Sequence, residues 1–484
     1  VTVIIVSFVV FLLGFVALGL LSARHKKSTT DDYLVASREV PAWLVALSSV
    51  ATNNSGFMFI GLIGFAYRFG VQAVWLQAGW LVGDLAAWLW IHGRVRRVSG
   101  EVGAVSVPGL LGTRKDGTIV RTTVVLAGLL TFFFLGGYAA AQLQAGSTTL
   151  HVLFGWDMSV GAILGAVIVV IYCFSGGLRA SIWTDAAQSF VMLLSMGILL
   201  VVALSHTGGF GGLFANLEAQ DPTLVDWMPS DLAGGIGLYL LGFVFGGFGA
   251  VGQPHILIRT MSIRSHKQIA KARKVYFAWF VPFSVAAVGA GLCARALLPE
   301  LANAPAEQVV QSAEGALPAL AVALLPSVLV GLVLAGIFSA TMSTADSQFL
   351  SCSAALTQDI APRWKRSYMA SKLATLGVAA LALVIALTAD DGVFALVLIA
   401  WSALGAALGP LVVLRVFGRH VPGPVAAVMM ASGVATVALW GSTALADDVF
   451  KLLPGMAVPF VIYGLSLLLP IGEASAEPAE AEEA

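Results

Sequence analysis

Thirteen stretches of about 20 mostly apolar residues follow one another along this chain, each long enough to cross a bilayer's ~30 Å hydrocarbon core as a helix. They run over 3–22, 41–66, 70–93, 121–149, 158–175, 182–204, 234–256, 275–297, 317–353, 369–388, 392–415, 422–445 and 452–470. In lipid a helix bonds its own N–H and C=O groups, so the pattern predicts an all-α polytopic membrane protein embedded in a lipid bilayer. Composition agrees: 11% of the 484 residues are charged, against about 25% in soluble domains. Lys+Arg and Asp+Glu balance at 26 each, so no basic surface for nucleic acid is expected. Cys173, Cys293 and Cys352 are dispersed through apolar segments and read as packing residues, not as a disulfide or metal framework.

The connections orient the spans. Cytoplasmic loops carry the excess of Lys and Arg. Here the basic loops follow the first span (Arg24, Lys26, Lys27, Arg38), the third (Arg94, Arg96, Arg97, Arg114, Lys115), the seventh (Arg259, Arg264, Lys267, Lys271, Arg273, Lys274) and the ninth (Arg363, Lys365, Arg366). Arg179 and Arg419 follow the fifth and eleventh. Alternate loops are acidic, with Glu218, Asp221, Asp226 and Asp231 after the sixth span and Glu300, Glu307 and Glu314 after the eighth. This alternation predicts a multi-pass protein of the bacterial inner membrane, N-terminus outside and C-terminus cytoplasmic. The first span lacks the basic flank and small-residue cleavage site of a signal peptide and is expected to be retained. The acidic, Ala/Pro-rich stretch from Glu473 is expected to be disordered.

Two spans carry polar or helix-breaking clusters: 48-SSVATNNSG-56 in the second and 246-GGFGAVGQP-254 in the seventh. A broken helix is tolerated at membrane depth only where it lines a cavity. Interruptions at corresponding positions of two halves point to an inverted-repeat transporter with its site at the midplane. Small residues alone could instead serve close helix packing; the amides of Asn53 and Asn54, with Ser55, favour the break. The expected organisation is an accessory helix and loop (1–40), two inverted repeats of five helices (41–206 and 207–420), accessory C-terminal helices (421–472) and the tail (473–484). In the ninth span Ala340, Ser343, Thr344 and Ser347 share one helix face. Oxygen ligands there, beside carbonyls of an unwound helix, suit a hard monovalent cation such as Na⁺. The alternative is that the hydroxyls bond back to their own helix; Asp346 among them favours the ion.

Four strings in this order resemble the sodium:solute symporter family, closest to its sodium/proline branch: 176-GGLRASIWTDAAQ-188, 252-GQPHILIR-259, 341-TMSTADSQFLSCSAALTQD-359 and 400-AWSALGAALGPLVVL-414. The resemblance spans nearly the whole chain and implies a ten-helix inverted-repeat core with three accessory helices. It implies a main Na⁺ site from the carbonyls of Ala51, Asn54 and Ala340 and the hydroxyls of Ser343 and Thr344. It also implies a second Na⁺ or H⁺ site at Asp185, with Ser343, Asp346 and Ser347. Asp346 departs from the small residue usual there: two carboxylates would hold Na⁺ more tightly, or raise one pKa and bind a proton. Asp185 alone could be a helix cap, but a carboxylate within the membrane favours ion coupling.

Other departures bear on the solute. Proline symporters carry aspartate where this chain has Asn53, and a tryptophan and tyrosine where it has Gly246 and Ala250. Their absence suggests a solute other than proline, with Phe245 and Phe248 as apolar walls. Solute contacts are expected from Asn53, Ser55, Gly56, Gln77, Tyr138, Gln142 and Pro254, although Gln77 and Gln142 could equally make interhelical hydrogen bonds. Asp84, about 13 Å inside its span at 1.5 Å per residue, must pair, protonate or face water. The expected function is Na⁺-coupled symport of a small polar organic solute, an amino acid or related compound, by alternating access, with no enzymatic step. Proton-coupled symport and a transporter-like solute sensor are the alternatives, and a monomer or weak homo-oligomer is expected.

Overall fold

The computed structural model describes residues 1–230, 232–305, 308–388, 393–446 and 448–469. The tail predicted from Glu473 lies outside the described residues, as do Asp231 and Glu307 of the external loops. Among the described residues there is no strand, and the helices form a bundle. In chain order they are α1 (Thr2–Ser22), α2 (Ala42–Gly56), α3 (Leu62–Phe69), α4 (Ala73–Trp90), α5 (Arg121–Phe154), α6 (Met158–His206) and α7 (Gly235–Phe248). Then follow α8 (Pro254–Ser262), α9 (Ile269–Leu297), α10 (Ser327–Ala354), α11 (Tyr368–Thr388), α12 (Val393–Val416), α13 (Gly423–Leu439) and α14 (Leu452–Ser466).

Ten helical runs among the described residues are long and apolar enough to cross a membrane, where the sequence predicts thirteen spans. The difference has a local cause. Ala42–Glu101 and Met158–His206 are each one run carrying two expected spans, and Leu452–Ser466 is shorter than the rest. The run in α6 bends at Gly177, at φ 56° and ψ −143°, where a Cβ would lie 2.5 Å from the Tyr33 carbonyl oxygen. Only glycine fits there.

Both expected interruptions are present. α2 breaks at Ser55, at φ 47° and ψ −178°, and the chain resumes through a π turn over Phe57–Gly61 into α3. A non-glycine residue at such angles costs on the order of 1–3 kcal/mol and persists only where its surroundings impose it. α7 passes through a 3₁₀ turn over Gly249–Gly252 and an extended Gln253 before Pro254 opens α8. Pro254 suits a first helical position, where no N–H is needed. The two interrupted helices meet at one end, where Val40 N–H donates to Ser262 O at 3.2 Å and Arg264 N–H to Val40 O at 2.9 Å.

α10 is the most enclosed helix, buried from Val330 to Ala354 and packed against α2, α5 and α6. A polar face survives there because it meets other helices and not lipid. α4 and α7 touch backbone to backbone: a Cβ on Gly83 would lie 1.9 Å from Val244 O, and one on Gly247 2.0 Å from Trp80 O. Gly247→Val is therefore expected to destabilise the protein by on the order of 3 kcal/mol through overpacking. Gly197→Ala, with open space around it, should leave the thermal midpoint of detergent-purified protein unchanged or slightly raised.

Candidate functional site

The break in α2 frees backbone groups, and neighbouring helices take them up. Gly56 N–H donates to Gln142 Oε1 of α5 at 2.8 Å, and Phe57 N–H to Ser55 Oγ at 3.1 Å. Tyr138, one turn before Gln142, donates to Ser55 Oγ at 3.4 Å, and its ring meets His255 of α8 edge-on at 5.6 Å. Ser55, Gly56, Tyr138 and Gln142 thus come together around one point.

On the other side of the break α10 presents its hydroxyl face. Ser343 Oγ donates to Ala51 O and Ala340 O, both at 3.2 Å. Thr344 Oγ1 donates to Thr52 O at 2.9 Å and to Ala340 O at 3.0 Å. The carbonyls of Ala51, Thr52 and Ala340 and two hydroxyls form a neutral, all-oxygen cluster, the donor set a hard cation prefers over nitrogen or sulfur. Thr52, not expected from sequence, supplies a carbonyl here. The Asn54 carbonyl accepts instead from Phe57 N–H, and the Asn54 amide donates to Val50 O at 2.6 Å.

Asp185, Asp346 and Ser347, expected as a second Na⁺ or H⁺ site, also cluster, but a guanidinium holds the centre. Arg259 of α8 is fully buried, and its Nη2 lies 3.1 Å from both Asp185 Oδ2 and Asp346 Oδ1. The same nitrogen donates to Ser181 Oγ and Ser347 Oγ. Ser48 donates to Asp185 at 2.6 Å, while Tyr172, Ser181 and Ser347 each donate to Asp346 at 2.9 Å. Sequence patterning counts Arg259 among the basic loop residues; α8 carries it inward, because the helix resumes at Pro254 and places it more than a turn along. Its signal was the GQPHILIR string itself. Thr52 joins the two clusters, its carbonyl accepting from Thr344 and its hydroxyl lying 3.1 Å from Ser347 Oγ.

The remaining expected solute contacts are dispersed. Gln77 Nε2 donates to Ser284 Oγ at 2.7 Å, the interhelical bond that was its alternative reading. Phe245 and Phe248 pack edge-on to each other at 6.2 Å. The aromatic at Gly246 is Trp80 of α4, missed from sequence: a Cβ on Gly246 would lie 2.6 Å from its ring. Trp80 stacks on Phe57 at 6.0 Å beside the break, and Trp401 Nε1 donates to Gly246 O at 2.8 Å. Asn53 joins none of these groups but bonds Tyr276 Oη through Nδ2 at 2.6 Å.

The family model of the sodium:solute symporters matches residues 33–433. The chain belongs to the sodium:solute symporter family. It is accordingly a multi-pass membrane protein that couples Na⁺ to a small solute. This symporter is 29% identical over 456 residues to the high-affinity proline transporter PutP of Bacillus subtilis (strain 168), covering 92% of this chain and 94% of that one. It is likewise 29% identical over 448 residues to the sodium/proline symporter of Escherichia coli (strain K12), covering 90% and 87%. Among solved structures it superposes on a substrate-bound, outward-open Na⁺-coupled sialic acid symporter with a TM-score of 0.80 at 20% identity, covering 98% of this symporter and 99% of that chain. A nucleobase-cation-symport-1 family transporter in a closed conformation gives 0.54 at 14% identity over 90% and 95%. At these identities the likeness is one of fold.

Removing one member of a buried ion cluster leaves uncompensated charge, at a cost of about 3–5 kcal/mol. Arg259→Met should therefore lower the thermal midpoint steeply, and adding Asp346→Asn should recover part of the loss. Unfolding of Arg259→Met at the wild-type midpoint in detergent would contradict the charge-balance reading.

Proposed function

We propose that this symporter imports a small polar organic solute, an amino acid or related compound, across the bacterial inner membrane, with its N-terminus outside and C-terminus cytoplasmic. Na⁺ binds among the carbonyls of Ala51, Thr52 and Ala340 and the hydroxyls of Ser343 and Thr344. The observation carrying this reading is the hydrogen bonding of α10 hydroxyls to α2 carbonyls just before the Ser55 break. A cation there replaces the donated hydrogens, the hydroxyls turning lone pairs inward, and ties α2 to α10. Ion binding then fixes the conformation of the break that presents Ser55 and Gly56 to solute.

Residues 41–206 and 207–420 act as the two repeats, rocking about this midplane site. Arg259 stands in for a second cation between Asp185 and Asp346, so one Na⁺ moves with each solute. The naming of the relatives as proline transporters supports an amino-acid-like solute. Trp80 filling the space at Gly246 supports a pocket shaped differently from theirs.

A ligand that binds only the folded state stabilises it by about 2.7 kcal/mol at one hundred times its Kd. Na⁺, but not choline, is expected to raise the thermal midpoint of the wild-type protein. The Ser343→Ala/Thr344→Ala double variant should lose that shift, from a midpoint in choline already lowered by the loss of the hydroxyls that bond Ala51 O and Thr52 O. A full Na⁺ shift in the variant would place the ion elsewhere.

A further inference from the structure

Asp84 belongs to neither cluster, and the transport cycle proposed above makes no use of it. It sits on α4, 1% exposed. Its Oδ2 accepts from the Tyr276 hydroxyl of α9 at 2.6 Å and from the Asn53 amide of α2 at 3.4 Å; Oδ1 has no partner among the described residues. No Lys, Arg or His pairs with it among the described residues.

The surrounding elements supply no counter-charge. α2 contributes Asn53 and no charged residue. α7, packed along α4, carries one titratable group, Tyr239, whose ring packs on Phe243. On α9, Lys271, Arg273 and Lys274 precede Tyr276 with partial or full exposure, and Arg295 at the far end lies over the Tyr67 ring. Tyr67 itself, on α3, donates to Leu298 O, and Arg68 lies over Phe69. Along the face of α4 the Trp88 ring stands between Tyr276, at 4.8 Å, and His92, at 4.6 Å. Beyond His92 the short helix His92–Glu101 has Arg94 on Trp90 O, Arg96 on Ile263 O and Arg97 beside Glu101.

The contrast is with the two carboxylates of the Arg259 cluster. Asp185 and Asp346 share a guanidinium and four hydroxyls; Asp84 has one hydroxyl and a distant amide. An ionised carboxylate placed so bears nearly its whole desolvation cost, and an intramembrane carboxylate without a counter-charge binds a proton.

We propose that Asp84 is a proton-binding site whose occupancy turns the Asn53 amide beside the break in α2. Without the proton the chain runs from Asn53 Nδ2–H to the Tyr276 oxygen and from the Tyr276 hydroxyl to the carboxylate. An added proton bonds to Asp84 Oδ2, and the new O–H donates to the Tyr276 oxygen. The Tyr276 hydrogen swings to the Asn53 side, and the amide rotates to accept it at Oδ1. A tyrosine hydroxyl both donates and accepts, so the same heavy-atom positions serve both directions, and only the added proton changes the charge. Asn53 is half-buried two residues before Ser55. Its free amide atom thus changes from acceptor to donor at the edge of the solute site. The proton site stands without the Na⁺-symport reading; only the meaning of the turned amide for solute rests on it.

The test is infrared difference spectroscopy of the full-length protein in detergent, reading the C=O stretch of protonated carboxyls against pH without added solute. A carboxyl band that grows as pH falls is expected in wild type and lost in Asp84→Asn. Tyr276→Phe, which removes the hydrogen-bond partner and keeps the carboxyl, should shift the band's frequency and its titration midpoint, and assigns the band even if Asp84→Asn does not fold. Two results overturn the proposal. One is a carboxyl region unchanged by either variant at every pH. The other is an Asp84 band that never responds to pH while the protein stays folded.

Discussion

Every polar backbone group inside a bilayer must find a partner within the protein, and this constraint shapes the molecule most at the break in α2. At Ser55 the helix gives up its own hydrogen bonds, and the released groups do not face lipid. Gln142 of α5 takes the Gly56 N–H, and α10 turns the hydroxyls of Ser343 and Thr344 toward the carbonyls of Ala51 and Thr52, a turn before the break. α10 can carry five hydroxyls and a carboxylate over Ser339–Ser347 because it is buried on all sides. The break and the polar face are two halves of one arrangement.

The same logic explains the second polar cluster. Two carboxylates within reach of one another could not remain ionised alone in a low-dielectric interior. Arg259 joins them, brought inward by α8, itself a product of the interruption at 249–253. The two broken helices thus converge: one offers carbonyls to the hydroxyls of α10, the other a fixed cation to two aspartates. Thr52 and Ser347, 3.1 Å apart, put the two clusters in contact. Movement of α8 against α6 and α10 must therefore rearrange hydrogen bonds that lead directly to the cluster of Ser343 and Thr344 with the α2 carbonyls.

Much of this was legible in the sequence, for physical reasons. Long apolar runs and a basic-acidic alternation of loops define a polytopic helical protein, and adjacent amides with a glycine mark a helix that cannot continue. Hydroxyls at steps of three and four reveal a face. What stayed hidden depends on tertiary placement. Arg259 looks like a loop charge because patterning reads position along the chain and not depth in the fold. Trp80 lies some 170 residues from Gly246 in sequence, so nothing local predicts that its ring fills the space there. Asn54, expected to lend a carbonyl to the ion, bonds within its own segment, and the carbonyl that meets the Thr344 hydroxyl is that of Thr52. The partners of Asp84 come from two other helices and have no motif.

The central claim is that a single Na⁺ binds where α2 meets α10, because Arg259 already occupies the position between Asp185 and Asp346. Equilibrium binding of radioactive sodium to the purified protein counts the ions directly. The account predicts saturation at one Na⁺ per chain, unchanged in Asp346→Asn and abolished when Ser343 and Thr344 are both alanine. Saturation at two, with one lost in Asp346→Asn, would contradict it.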